Sequence, residues 1–277
     1  LSFSTCYSSR IYGALRLAGF LALIIVFMPV LVGFTLFRRE KSVLASRVFY
    51  RLTLRVFGFR VRAHGAMTNA QPTLFVSNHA SYLDVPVLGA LIPAVFVAKA
   101  EVAGWPVIGF LCKLHHTVFI ERRSVRAGEQ RDHLRDHLGM GQSLVLFPEG
   151  TSSDGLFALP FKSSLFSTVE TGADDIAIAV QPVSVVCTGI AGLPLPRAWR
   201  PYYAWFGDMT FVAHFWNVLK CGGYTVDVVF HPPVTASYGN RKQLAAYCQE
   251  EVARGIEQCL TGRSPEHADM PQLPAPA

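Results

Sequence analysis

A histidine and a carboxylate stand five residues apart at the end of an apolar run, in Val76-Ser77-Asn78-His79-Ala80-Ser81-Tyr82-Leu83-Asp84. An imidazole oriented by a carboxylate can act as a general base, taking a proton from a hydroxyl that then attacks an electrophile. The spacing is restrictive. In a continuous helix, residues five apart point about 140° from one another. The two side chains can meet only if His79 lies in the turn before a helix and Asp84 lies in its first turn or at its cap. A second reading fits the same residues. Ser81-Tyr82-Leu83-Asp84 is an S-x-x-D capping-box variant, in which Asp84 merely accepts a backbone N–H. Pro86 bears on the helix start: after a Ser81 cap it would be the fifth helical residue, where its ring is costly, and after an Asp84 cap the second. Both readings stand on this stretch alone.

Three more loops carry polar residues behind apolar runs. Glu121-Arg122-Arg123 follows Thr117–Ile120, and a guanidinium there could bind phosphate or carboxylate with two prongs, or simply sit on the surface. Pro148-Glu149-Gly150-Thr151-Ser152 follows Leu144–Phe147. Pro148 would stiffen the entry and Gly150 would let backbone approach a ligand, though a plain turn uses the same residues. Glu149 could orient Arg122 or accept a substrate hydroxyl. Lys162 falls at the start of an expected helix, suited to an anionic group. Val180-Gln181-Pro182-Val183 reads as a strand interrupted by proline, either lining an apolar groove or forming an edge.

The elements that must position these loops follow from alternation. Apolar runs at Phe59–Ala63, Thr73–Val76, Ala94–Ala98, Thr117–Ile120, Ser143–Phe147, Ala177–Val186 and Tyr224–Phe230 read as strands. Between and after them, Asp84–Leu91, Trp105–Leu114, Val125–Leu138, Lys162–Thr171, Met209–Leu219 and Arg241–Leu260 read as helices. This order predicts an α/β fold: a mainly parallel sheet flanked by helices, with functional residues at the carboxyl ends of strands.

Composition adds a membrane. Of 277 residues, 51% are hydrophobic and only 16% charged, which is apolar for a soluble chain. Leu17 to Phe37 is 21 residues without a charge, about 32 Å as a helix and enough for a hydrocarbon core of roughly 30 Å. Arginines precede it, Arg38, Arg39 and Lys41 follow it, and no cleavage-like site is present, so a membrane helix is expected rather than a signal peptide. Pro29 and Gly33 leave a hairpin as the alternative. From Ser42 to Phe57, Arg47, Arg51 and Arg55 form a basic stripe opposite apolar residues, as in a helix lying on an anionic surface. The expected organisation is residues 1–57 as membrane-anchoring helices, 58–261 as the α/β domain and 262–277 as a disordered Pro/Ala tail.

The net charge of +6 implies an anionic partner. Nucleic acid is not expected, because the basic residues are not interleaved with a recognisable module. The six cysteines show no C-x-x-C and read as reduced, packed thiols. His133 and His137 have the spacing of a metal pair, but charged neighbours mark a solvated helix face, and no metal is expected. Ser81 lacks the G-x-S-x-G setting of a nucleophile.

Taken together, the loops resemble the PlsC-like glycerophospholipid (1-acylglycerol-3-phosphate) acyltransferase family over roughly Phe59 to Val234. His79–Asp84 matches its H-x4-D box, Phe119-Ile120-Glu121-Arg122 its F-I-x-R box, Phe147-Pro148-Glu149-Gly150-Thr151 its F-P-E-G-T box, and Val180–Val183 its proline-centred fourth box. The resemblance implies that His79 deprotonates an acceptor hydroxyl, Asp84 supports His79, and Arg122 with Glu149 and Gly150 holds the polar head. Substrate-binding residues are then expected among Asn78, Ser81, Arg122, Glu149, Gly150, Thr151 and Lys162.

The implied reaction moves a fatty acyl group from acyl-carrier protein or acyl-CoA to a lysolipid, 1-acyl-sn-glycerol-3-phosphate first, without a cofactor. The implied place is a bacterial inner membrane, with the catalytic domain toward the cytoplasm. Two glycines usual in the family are replaced, by His116 and Ser164. The run Phe147 to Phe166 looks closer to the branch with lyso-ornithine lipid acyltransferases, in which Arg122 would hold a carboxylate. A thioester or lipid hydrolase using the same base, and a membrane scaffold without chemistry, are the competing functions.

Overall fold

The computed structural model describes residues 8–37, 39–105, 107–121, 127–169, 178–235 and 238–263. Helix α1 (Arg10–Phe37) runs unbroken through Pro29 and Gly33, so within it the chain does not turn back. Its stretch Arg10–Phe34 is long and apolar enough to cross a membrane by length and composition, and Ile25 and Val26 on it are largely exposed. The first turns are tied to the domain. Ser9 N–H donates to Lys220 O at 2.9 Å, and Arg16 Nη1 donates to Leu219 O at 3.1 Å and to Cys221 O.

Helix α2 (Arg39–Phe57) buries Phe49, Tyr50, Leu54 and Phe57 and packs against α1 and against α3 (Asp84–Leu91). The basic stripe on α2 differs from the expected lipid-facing one. Arg47 Nη2 donates to Leu91 O at 2.9 Å and Arg51 Nε to Ala90 O at 3.0 Å, so two of its arginines close the carboxyl end of α3. The last carbonyls of a helix lack intrahelical partners and carry its negative pole, which makes a guanidinium a fitting cap.

Among the described residues, nine strands form one sheet. They are β1 (Phe59–His64), β2 (Thr73–Ser77), β3 (Val95–Lys99), β4 (Val118–Ile120), β5 (Leu144–Leu146), β6 (Ala179–Ile190), β7 (Leu193–Pro194), β8 (Tyr224–Phe230) and β9 (Val234–Thr235). The order is β1-β8-β6-β2-β5-β3-β4, with β7 and β9 added to β6. Pairs from β6 through β2, β5 and β3 to β4 are parallel, whereas β8 meets β6 antiparallel and β1 meets β8 parallel.

All five residues of β2 are buried, as a strand covered on both faces requires. Side chains alternate between two cores. Phe75 and Val145 join α1, α2, α3, α4 (Ile108–Leu114) and α6 (Phe211–Lys220) on one face. Leu74, Val76, Leu144 and Leu146 face α5 (Ala127–Gly139) and α7 (Arg241–Thr261) on the other.

Two local expectations are corrected. The helix expected over Lys162–Thr171 is a 3-10 helix over Ser163–Val169, in a stretch whose hydroxyls compete for backbone groups; Ser167 Oγ bonds Ser164 O at 2.7 Å. Lys162 therefore does not open an α-helix. Strand β6, with Pro182 inside it, is not an edge but lies in the middle of the sheet. The proline is tolerated because on that side β9 pairs only as far as Val180 and β8 begins at Val183, so its missing N–H falls in the gap between two partners.

Candidate active site

Because β2, β3, β4 and β5 are parallel, the loops after them share one edge of the sheet. Strand β2 ends at Ser77, and Asn78 then brackets the backbone of Val185: its Nδ2 donates to the carbonyl at 2.9 Å and its Oδ1 accepts the N–H at 2.8 Å. This continues the β2–β6 ladder one step beyond its last pair, Ser77 with Val183, and fixes the base of the turn that carries His79.

His79 and Asp84 meet as the spacing required. His79 Nδ1 lies 2.9 Å from Asp84 Oδ2. The same oxygen accepts the backbone N–H of Ala80 at 2.7 Å and of Ser81 at 2.9 Å, while Oδ1 accepts the Tyr203 hydroxyl at 2.7 Å. Asp84 is 0% exposed, and four donors compensate the burial of its carboxylate. Ser81 Oγ in turn accepts Leu83 N–H at 3.3 Å, while Asp84 N–H goes to Ser81 O at 3.0 Å, so the S-x-x-D stretch forms a turn ahead of the helix rather than a reciprocal capping box. Closure of the turn and orientation of the imidazole are done by one oxygen of one residue.

With Nδ1 donating to a carboxylate, His79 is the tautomer whose Nε2 lone pair is available as a base. Its ring stacks on Phe147, centroids 4.2 Å apart at 22°, and its side chain remains 22% exposed. Its carbonyl accepts Ser153 N–H at 3.0 Å. Three segments thus hold the imidazole: its own turn, the loop after β5 and the start of α3.

The ring lines a cavity of about 670 Å³. Most of the wall is apolar, with Phe20 from α1, Phe49 and Phe57 from α2, Trp105 before α4, and Phe211 and Phe215 from α6. The polar wall includes Lys99, Thr151, Ser152, Lys162 and Ser164. His115 is also in the wall, hydrogen-bonded to Ser46 Oγ at 2.6 Å and packed on Phe49 and Tyr50; burial pushes its imidazole down to about 3 and keeps it neutral.

Of the expected site residues, the cavity wall contains His79, Thr151 and Lys162. Asn78 and Ser81 are buried and turned to structure, with hydrogen bonds to Val185 and Leu83, and the wall does not include them. Gly150 is buried at φ 72°, a left-handed turn position that glycine adopts without strain. Glu149 lies behind the wall. Its Oε1 accepts Leu159 N–H at 3.1 Å, while burial lifts its carboxyl to about 8. Arg122 lies outside the described residues.

Sequence reasoning missed Tyr203, and it read the run Trp205 to Met209 only as a likeness to the lyso-ornithine lipid branch, without the bond from Trp205 N–H to Ala80 O at 2.9 Å. Nothing in the local pattern marks Tyr203, because its partner Asp84 is 119 residues away.

A family model described as Acyltransferase matches residues 59–186. The lyso-ornithine lipid O-acyltransferase of Brucella abortus (strain 2308) is 38% identical over 220 residues, covering 78% of this chain and 82% of that protein. The chain belongs to the PlsC-like acyltransferase family. The 1-acyl-sn-glycerol-3-phosphate acyltransferase of Neisseria gonorrhoeae is 35% identical over 159 residues, 57% of this chain and 58% of that one. The crystal structure of the 1-acyl-sn-glycerophosphate (LPA) acyltransferase PlsC from Thermotoga maritima superposes with a TM-score of 0.64 at 24% identity, covering 90% of this chain and 97% of that one, which establishes the shared fold. The chain is accordingly an O-acyltransferase.

Proposed function

We propose that the protein transfers a fatty acyl group from a thioester donor, acyl-carrier protein or acyl-CoA, to the hydroxyl of a lyso-ornithine lipid at a membrane. The observation that carries the reading is the His79–Asp84 pair in the wall of a mostly apolar cavity. His79 Nε2 takes the proton of the acceptor hydroxyl as its oxygen attacks the thioester carbonyl. The carbonyl closes again as the carbon–sulfur bond breaks, and the leaving thiolate takes a proton. Asp84 holds the imidazole in the reactive tautomer and offsets its positive charge when protonated. Thr151 and Lys162 meet the acceptor's polar head, and the apolar wall takes the acyl chains. The choice of acceptor rests on the Brucella relative, which matches this chain over 82% of its length.

A second reading, 1-acyl-sn-glycerol-3-phosphate as acceptor, is favoured by the Neisseria relative and by the lysines in the wall, which suit phosphate equally well. In either reading α1, with α2, anchors the domain to the bacterial inner membrane and the cavity faces the cytoplasm, where the donor is made.

An acceptor panel tests this. Purified protein is given lyso-ornithine lipid or lysophosphatidate with acyl-carrier protein or acyl-CoA as donor, and product lipid is followed by mass spectrometry. Acylated ornithine lipid, absent with His79→Ala, is the expected product. A preference for lysophosphatidate moves the acceptor to the second reading. Thioester cleavage at the same rate without any acceptor shows a hydrolase.

A further inference from the structure

The carboxylate of Asp84 is held from two sides that differ in origin. Every donor on Oδ2 comes from residues 79–81, the turn that the carboxylate itself organises. A local arc of this kind restrains the turn but leaves the turn and Asp84 free to shift together. Oδ1 is bonded by Tyr203, 119 residues further along the chain. We propose that Tyr203 is a positioning residue for acyl transfer, its hydroxyl fixing the Asp84 carboxylate, and through it the His79 imidazole, against the rest of the domain. The inference rests on the acyl-transfer reading of the His79 site.

The segment that carries Tyr203 is suited to serve as a fixed point. It follows a 3-10 helix over Arg197–Tyr202, and the N–H groups of Tyr203 and Ala204 both return to Arg200 O, at 2.9 and 2.8 Å. The ring is 2% exposed and packs on Phe59 and Tyr224. Two residues on, Trp205 N–H bonds Ala80 O, and Trp205 O accepts the Ser152 hydroxyl. Tyr203 and Trp205 therefore clamp the His79 turn at a side chain and at the backbone. Both lie beyond the residues 59–186 that match the family model.

A buried phenol needs a partner, and the carboxylate provides a charge-assisted one. Burial first, and then the Asp84 charge, raise the Tyr203 phenol well above its ordinary value, so it remains a donor throughout the working range. Besides the bonded His79, the Asp84 charge reaches two further groups, Glu149 on the loop after β5 and Cys187 on β6. Burial favours the neutral form of each, which leaves Tyr203 as the protonated donor directly bonded to the dyad.

Tyr203→Phe tests the role, since it removes one oxygen and keeps the ring. Losing a hydrogen bond to a buried charge lowers kcat about tenfold, with KM within about twofold. A second readout separates positioning from packing. Without the phenol, more negative charge remains on Asp84 to hold an imidazolium, so the acidic limb of the pH–rate profile moves to higher pH. Tyr224→Phe is the control: its hydroxyl donates to Tyr202 O at 2.8 Å, beside the clamp but not on the dyad, and its removal leaves the limb in place.

If Tyr203→Phe does not yield folded protein, 3-fluorotyrosine at position 203 keeps the packing and strengthens the donor, and the limb then moves to lower pH. A Tyr203→Phe enzyme with wild-type kcat and an unmoved limb overturns the proposal, as does a fluorotyrosine enzyme with no shift. Wild-type protein that acylates no lysolipid overturns the underlying reading instead.

Discussion

Arg51 on α2 donates its Nε–H to the carbonyl of Ala90 at 3.0 Å, at the far end of the eight-residue helix that begins with Asp84. Arg47 does the same for Leu91. The helix that begins with Asp84 is thus closed by a neighbouring helix continuous in sequence with the apolar N-terminal segment. Gly89 makes the contact close, since a Cβ there would meet the Tyr50 ring at 2.4 Å. Both arginines are accessible in part, so each bond contributes modestly. Replacing both by alanine is expected to lower stability by about 1–3 kcal/mol in denaturant titrations and to reduce kcat, because α3 loosens at one end. Unchanged melting and turnover in the double variant would show the stripe serving only the lipid surface.

Asp84→Asn separates charge from architecture. The amide oxygen can keep the donors now on Oδ2, and its Nδ2–H can donate to Tyr203, whose hydroxyl can rotate to accept. The fold is therefore expected to survive with a melting temperature close to wild type, while kcat falls about 10²- to 10⁴-fold because a protonated His79 loses its counter-charge. Loss of the fold together with activity would assign Asp84 mainly to capping.

The legible part of this molecule was the part whose causes are local. Five successive buried residues of β2 and the turn chemistry after them placed His79 at a strand end, and the five-residue spacing already demanded a turn followed by a helix start. What could not be read depends on distant geometry. Tyr203 reaches Asp84 only through the packing of its ring on Phe59 and Tyr224. The arginines of α2 read as a lipid-facing stripe because their partners are carbonyls, which leave no trace in a side-chain pattern. Pro182 argues for an edge until it is known where β8 begins and β9 ends.

His116 adopts φ 57°, the left-handed region that L-residues enter at a cost, at a position where the resemblance expects glycine. Glycine relieves that strain but is more flexible when unfolded, and the two effects nearly offset. His116→Gly is expected to change stability by no more than about 1 kcal/mol, whereas β-branched His116→Val loses clearly more. Thermal melts of the pair check this. Equal losses in the two variants would mean that the side chain, not the backbone angle, decides the site.

Glu149 predicts a pH dependence of stability whose sign can be worked out. Burial lifts its carboxyl to about 8, the Asp84 charge adds to the rise, and the N–H groups of Leu159 and His79 oppose it. The native protein therefore keeps a proton that the unfolded chain releases near 4.5. Stability from this residue falls as pH rises from about 4.5 to about 8 and is level above that. Glu149→Gln keeps an oxygen for Leu159 N–H and cannot titrate. At pH 8 the variant is expected to exceed wild type by about 1–3 kcal/mol, with the difference shrinking toward pH 5. Urea titrations at pH 5, 6.5 and 8 measure it. Parallel pH profiles for the two proteins would mean that Glu149 is already ionised in the fold, with a cationic partner on its second oxygen.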